Sequence, residues 1–161
     1  MIANLLAIFL GLLQATQTGT IVGVVKLPDN STLIPNARIA LLSPKYSELW
    51  DKQVQTRLDN YWEIYKPQFA ANKAQFTEFD RLAQLEALRY VTATMRRELA
   101  ENASKFLKDS PTGQFEFPSI PFGKYQLVVQ ATVNGQEIIW SKPLDVHTEI
   151  PIFVDLGKPV S

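Results

Sequence analysis

Hydrophobic and polar residues alternate at both ends of this chain and change period in the middle. GTIVGVV, from Gly19, is rich in β-branched residues and places Ile21, Val25 and Leu27 on one face before the turn cluster PDNSTLIPN. ARIALLSP then sets Ala37, Ile39 and Leu41 on one face, and Pro44 closes it. Each run predicts a strand. Between Lys45 and Asp109 there is no glycine, and Pro67 is the only proline. Tyr46, Trp50, Val54, Leu58, Tyr61, Tyr65 and Phe69 recur every three or four residues, as do many of Leu82, Leu85, Leu88, Met95, Leu99 and Phe106. That spacing is helical. It predicts two long helices with a break between Lys66 and Thr77. Pro67 removes a helix hydrogen bond and should kink or end the first helix; Thr77 and Asp80 are spaced to cap the second.

Period two returns from Gly113. Phe115 and Phe117 share a face, and Pro118 and Pro121 are expected to end their strand by removing ladder donors. Tyr125, Leu127, Val129, Ala131 and Val133 form the inward face of the next strand. The Tyr125 hydroxyl is predicted to reach back to a loop carbonyl at the corner. Asn134-Gly135 marks a two-residue hairpin, because both residues tolerate the positive φ of a type I′ turn. EIIW, PLDVHT and IPIFVDL supply the remaining strands. The expected fold is mainly β with an α insertion. Two antiparallel sheets pack face to face, seven short strands in all, and a long two-helix hairpin interrupts them after strand 2 at residues 45–110.

The runs G-T-I-V-G-V-V from Gly19, N-A-R-I-A-L-L from Asn36, T-G-Q-F-E-F from Thr112 and I-P-F-G-K-Y-Q-L from Ile120 resemble the carboxypeptidase regulatory-like domain, which has a transthyretin-like (prealbumin-like) β-sandwich. The resemblance covers both flanks of the helices and not the helices themselves. It implies a non-catalytic accessory domain of residues 19–161. Relatives serve as modules on peptidases, outer-membrane receptors and adhesins, and some bind starch.

Net charge narrows the partners. Sixteen basic residues balance sixteen acidic ones, whereas phosphate-backbone binding leans on surplus Lys and Arg, so nucleic acid is not an expected partner. The absence of cysteine removes disulfides, thiolate metal sites and cysteine nucleophiles together. From Ile2 to Leu13 only Asn4 is polar, and QATQTGT follows. This pattern suits a secretory signal peptide over residues 1–18 and places the mature domain in the periplasm or outside the cell. The run is shorter than the ~20 residues that span a bilayer.

Candidate chemistry is sparse. His147 is the only histidine and falls on a predicted strand, and no serine sits in a nucleophile-elbow pattern. The carboxylate pairs Glu48 with Asp51, Glu78 with Asp80 and Glu98 with Glu101 are interleaved with basic residues, which describes a solvated helix face. Asp29 and Asn30 are only a fragment of a calcium loop. No catalytic residue, metal site or cofactor is therefore assigned. Aromatics are the more informative group, since ten of the 17 fall between Lys45 and Asp109. Trp62 and Phe79 lie at or beyond the edge of their apolar stripes; with Tyr61 and Tyr65 they form the candidate binding edge. These features predict an exported, non-enzymatic interaction module whose helices meet another protein. A carbohydrate-binding domain is the alternative, and a hydrolase or peptidase accessory the weaker one. Amphipathic antiparallel helices also admit a four-helix homodimer contact.

Overall fold

The computed structural model describes residues 16–27, 32–69 and 73–159, with the side chains at 65–69 and 73–75 outside that description. The expected leader therefore lies outside the described residues as far as position 15, and so does most of the PDNST turn. Residues 16–18 fall on the folded side: Thr18 opens the first strand, and the Gln17 carbonyl accepts from the Phe122 amide at 2.9 Å.

The described residues form seven strands in two sheets. β1 (Thr18–Val24) lies between β4 (Gln114–Pro121) and β7 (Ile152–Val154); β3 (Leu107–Ser110), β2 (Ala37–Leu42), β5 (Gly123–Val133) and β6 (Gln136–Val146) form the other sheet in that order. One apolar cluster draws on both sheets, with Ile21, Phe117 and Val154 from the first and Ile39, Leu127 and Trp140 from the second. β1 pairs with β7 in parallel, so the ladder is not wholly antiparallel as expected. The reason is that β7 does not pair with the strand before it. After β6 the chain leaves the four-stranded sheet and adds β7 to the three-stranded one beside β1.

Between β2 and β3 stand α1 (Pro44–Phe69) and α2 (Lys73–Leu99), followed by a short 3₁₀ turn over Ala100–Lys105. With 26 and 27 residues they hold about as many residues as all the described strands together, which is broadly compatible with the expected β fold carrying an α insertion. The insertion closes on itself because Ala40 of β2 pairs with Leu107 of β3. At its root the helices lie on the outer face of the four-stranded sheet. Ala40, Leu42, Val128 and Ile139 pack there against Tyr46, Trp50, Leu85, Leu88, Val91 and Met95. The sheet is thus apolar on both faces, which accounts for the unbroken run IALL at 39–42.

Several local expectations change. Pro118 does not end its strand, since β4 runs on to Pro121. β4 is an edge strand, where a missing amide donor can face outward. The register slips between Gly19 and Ile21 where Pro118 and Ser119 oppose Thr20, and Ser119 takes φ +55°. This is a β-bulge. Pro67 sits in the last turn of α1, and the helix ends two residues beyond it. α2 starts at Lys73, so Thr77 and Asp80 are interior rather than capping; Asp80 Oδ2 accepts from Gln84 Nε2 at 2.9 Å. The helical region stops at Lys105, because residues 107–110 pair with β2 as β3. Phe106 lies between the two, its ring stacked on that of Tyr125 with centroids 6.5 Å apart. EIIW and PLDV join in one strand, β6, whose edge position tolerates Pro143. Among the described residues, β3 is a strand the sequence did not predict, and the two predicted runs EIIW and PLDV form one. The hairpin turn is as read, with Asn134 at φ +51° and Gly135 at φ +79°.

Candidate functional site

The helices divide into two parts. Near the sheet, Trp50 and Leu85 are buried, and the Trp50 indole donates to the Gln84 carbonyl at 3.3 Å. Toward the far end the apolar surface opens, with Trp62 41%, Ile64 67% and Phe76 50% exposed. Below that end, Arg57 Nε meets Glu86 Oε2 at 3.3 Å and ties the helices together.

A cleft of about 270 Å³ lies at the far end. Gln55, Leu58, Asp59 and Trp62 enter it from α1 at spacings of three and four, which places them on one face of the helix. Phe76 and Phe79 enter from the first turns of α2, again three apart. The antiparallel hairpin then sets the Tyr61 and Phe79 rings 5.2 Å apart, tilted by 40°. Asp59 Oδ1 accepts from Gln55 Nε2 at 2.7 Å, so a polar pair borders the rings. Such a surface can stack on a flat apolar partner and orient it through one carboxylate and one amide.

Of the four residues singled out in the sequence, Tyr61, Trp62 and Phe79 are brought together here. Tyr65 lies on α1 three residues beyond Trp62 and four beyond Tyr61, and its side chain is outside the described residues. Phe76 was not singled out, because it falls where the helix break was expected. Its spacing of three from Phe79 is the signal that a helix starting at Lys73 makes readable.

The remaining candidates have separate surroundings. His147 follows the end of β6 rather than lying on a strand, and its exposed ring has Nδ1 3.1 Å from the Asp145 carbonyl oxygen. Glu78 bonds to Arg81, and that bond holds its carboxyl below the ordinary carboxylate value. Among the described residues, no group of three His, Asp or Glu side chains is arranged to hold a metal ion. No helix among them is long and apolar enough to cross a membrane.

No family model matches the chain, and no curated protein does. Among solved structures it is similar to a candidate carbohydrate-binding protein from Pseudomonas aeruginosa, at 18% identity and a TM-score of 0.38, over 89% of this chain and 92% of that one.

Proposed function

We propose that this chain is a non-catalytic binding module in which the two sheets form the platform and the far end of the helical hairpin meets a protein partner. The observation that carries the reading is the aromatic cleft. Trp62 and Phe76 are about half exposed beside Tyr61 and Phe79, at the end of the helices that the sheet does not cover. Large apolar side chains at a surface represent area that a partner can remove from water. Ile64, also exposed, adds an aliphatic contact that a protein surface matches better than a sugar does.

The finer features of the reading rest on sequence. The seven strands belong to a transthyretin-like sandwich of the carboxypeptidase regulatory-like kind, and the apolar leader directs the protein to the periplasm or the exterior. The test is recovery of partners from envelope extracts by the purified chain and by its Trp62→Ala, Phe76→Ala double variant. A partner held by the first and lost by the second is expected. Equal recovery by both would remove the hairpin from the function.

A second reading, carbohydrate binding, draws on the Gln55–Asp59 pair beside the rings, since a sugar offers hydroxyls to polar groups and an apolar face to an aromatic ring. Calorimetry against soluble glucans and peptidoglycan fragments decides it. Heat that disappears in Trp62→Ala favours the sugar, and absence of heat ends the reading.

A further inference from the structure

Toward the C-terminal end of α2, away from the aromatic cleft, a groove of about 340 Å³ runs between that helix and the outer face of the four-stranded sheet. Three guanidinium groups line it, Arg38 of β2 and Arg89 and Arg96 of α2, with the carboxylate of Asp109 beside them; the Lys108 ammonium lies instead over the Phe117 ring, on the inner face of the sheet. Arg89, Thr92 and Arg96 follow at spacings of three and four, so one helix face presents them together. Because the whole chain is neutral, this positive surplus is local.

Among the nearby carboxylates Glu137 neutralises Arg89 alone, and Arg38 and Arg96 keep their charge. Glu137 is engaged by Arg89 Nη2 at 3.0 Å and by Gln130 Nε2 at 2.5 Å, and Gln130 is itself only 7% exposed. Asp109 stands opposite Arg38 in strand register, yet they form no ion pair. Among the described residues, neither Arg38 nor Arg96 has an ion-pair partner within 4.0 Å. Guanidinium groups held in one groove without a counter-charge repel each other, and an anion placed between them relieves that cost.

We propose that this groove binds a sugar-sized molecule bearing one oxyanion group, a phosphate or a carboxylate. The planar forks of Arg38 and Arg96 match either group through paired N–H donors. Acceptors for hydroxyls stand beside them. Thr92 donates its own proton to the Leu88 carbonyl at 2.9 Å, which leaves its oxygen free to accept, and Asp109 adds two carboxylate oxygens. The volume lies at the small end of ligand pockets and suits a monosaccharide rather than a polymer. This site does not depend on the reading of the hairpin end.

Calorimetry at low ionic strength tests it, with glucose 6-phosphate, glucuronate, inorganic phosphate and glucose titrated into the full chain. Glucose 6-phosphate, glucuronate or both are expected to bind, to weaken with added salt, and to exceed inorganic phosphate, with no heat from glucose. The stronger of the two identifies the oxyanion. Arg38→Gln and Arg96→Gln should each weaken binding about tenfold, the loss expected for a charge-assisted hydrogen bond. Arg96→Lys, which keeps the charge and loses the fork, should fall between, and Trp62→Ala should leave the affinity unchanged. Absence of heat from both charged sugars at about 10 mM, near the weak limit of specific binding, overturns the proposal. So does glucose or inorganic phosphate binding as tightly as the sugar anions, or unchanged affinity in folded Arg38→Gln and Arg96→Gln variants.

Discussion

The Tyr46 hydroxyl in the first turn of α1 donates to Glu98 Oε2 near the end of α2 at 2.9 Å, and Lys45 Nζ reaches the same oxygen at 2.6 Å. Residues more than fifty positions apart thus close the root of the hairpin. The Lys45 and Tyr46 hydrogen bonds hold the Glu98 carboxyl below its ordinary value, and the Glu98 bond in turn raises the Lys45 ammonium.

The direction of these shifts sets a pH window. A carboxyl lowered in the fold contributes stability above its unfolded value and loses it as pH falls through its folded value. An ammonium raised in the fold contributes below its unfolded value and loses it as pH rises through its folded value. The root is therefore complete between the carboxylate and lysine ranges. Melting curves of the wild type and Glu98→Gln should differ by a small, constant amount near neutral pH and converge in acid below the ordinary carboxylate range. Because both charges are exposed, the difference should also shrink with salt. A difference that persists unchanged into acid would assign the effect to packing instead.

Stability and binding should separate along the helices. Leu85, 1% exposed against the sheet, is expected to cost about 2–5 kcal/mol on change to Ala, through lost burial and the cavity left behind. Trp62→Ala, at the open end and 41% exposed, should cost less, about 1–2 kcal/mol, for the part of the indole that is buried. Urea unfolding followed by circular dichroism measures both. Similar losses at the two positions would mean that the far end is part of the core.

This separation was half legible in the sequence. Trp62 is conspicuous because it lies off the stripe that packs α1, whereas the runs IALL and LVV read as one-sided strands and only the helices packed on Ala40, Leu42 and Val128 show their second buried face. β3 was not legible, because LKDS offers one apolar residue and takes its pairing from β2. Nor does local sequence show that β4 is an edge strand, the fact that lets Pro118 remain within it. The basic groove draws Arg38 from β2 and Arg89 and Arg96 from α2, so nothing but the fold brings them together.

Gly113 connects β3 to β4 at φ +86°, a conformation that a side chain resists. A Cβ there would also stand 2.5 Å from the Ile34 carbonyl oxygen, which is rigid backbone and cannot turn aside. The Gly113 carbonyl meanwhile accepts from the Val25 amide at 2.7 Å, so the corner cannot shift without losing a bond between segments. Gly113→Ala should destabilise the fold by about 1–3 kcal/mol, the sum of backbone strain and overpacking. A melting temperature equal to that of the wild type would show that the corner yields more easily than its contacts suggest.

Tyr125 opens the longest inward face, and its hydroxyl donates to the Pro121 carbonyl at 2.9 Å, the corner bond expected from the sequence. Burial raises the phenol above its ordinary value, which favours the protonated form that can donate. Its ring meanwhile stacks against Phe106, where the helical insertion rejoins the sheet. The two contributions can be told apart by substitution. Tyr125→Phe keeps the ring and removes the bond, leaving a carbonyl without this donor, and should cost about 0.5–1.5 kcal/mol. Tyr125→Ala also removes the packing and should cost about 2–3 kcal/mol, less than a fully buried aromatic because its ring is only partly buried. Parallel urea titrations supply the comparison. If Tyr125→Phe matches the wild type while Tyr125→Ala is strongly destabilised, the residue acts through its ring alone and the hydroxyl bond does not stabilise the corner.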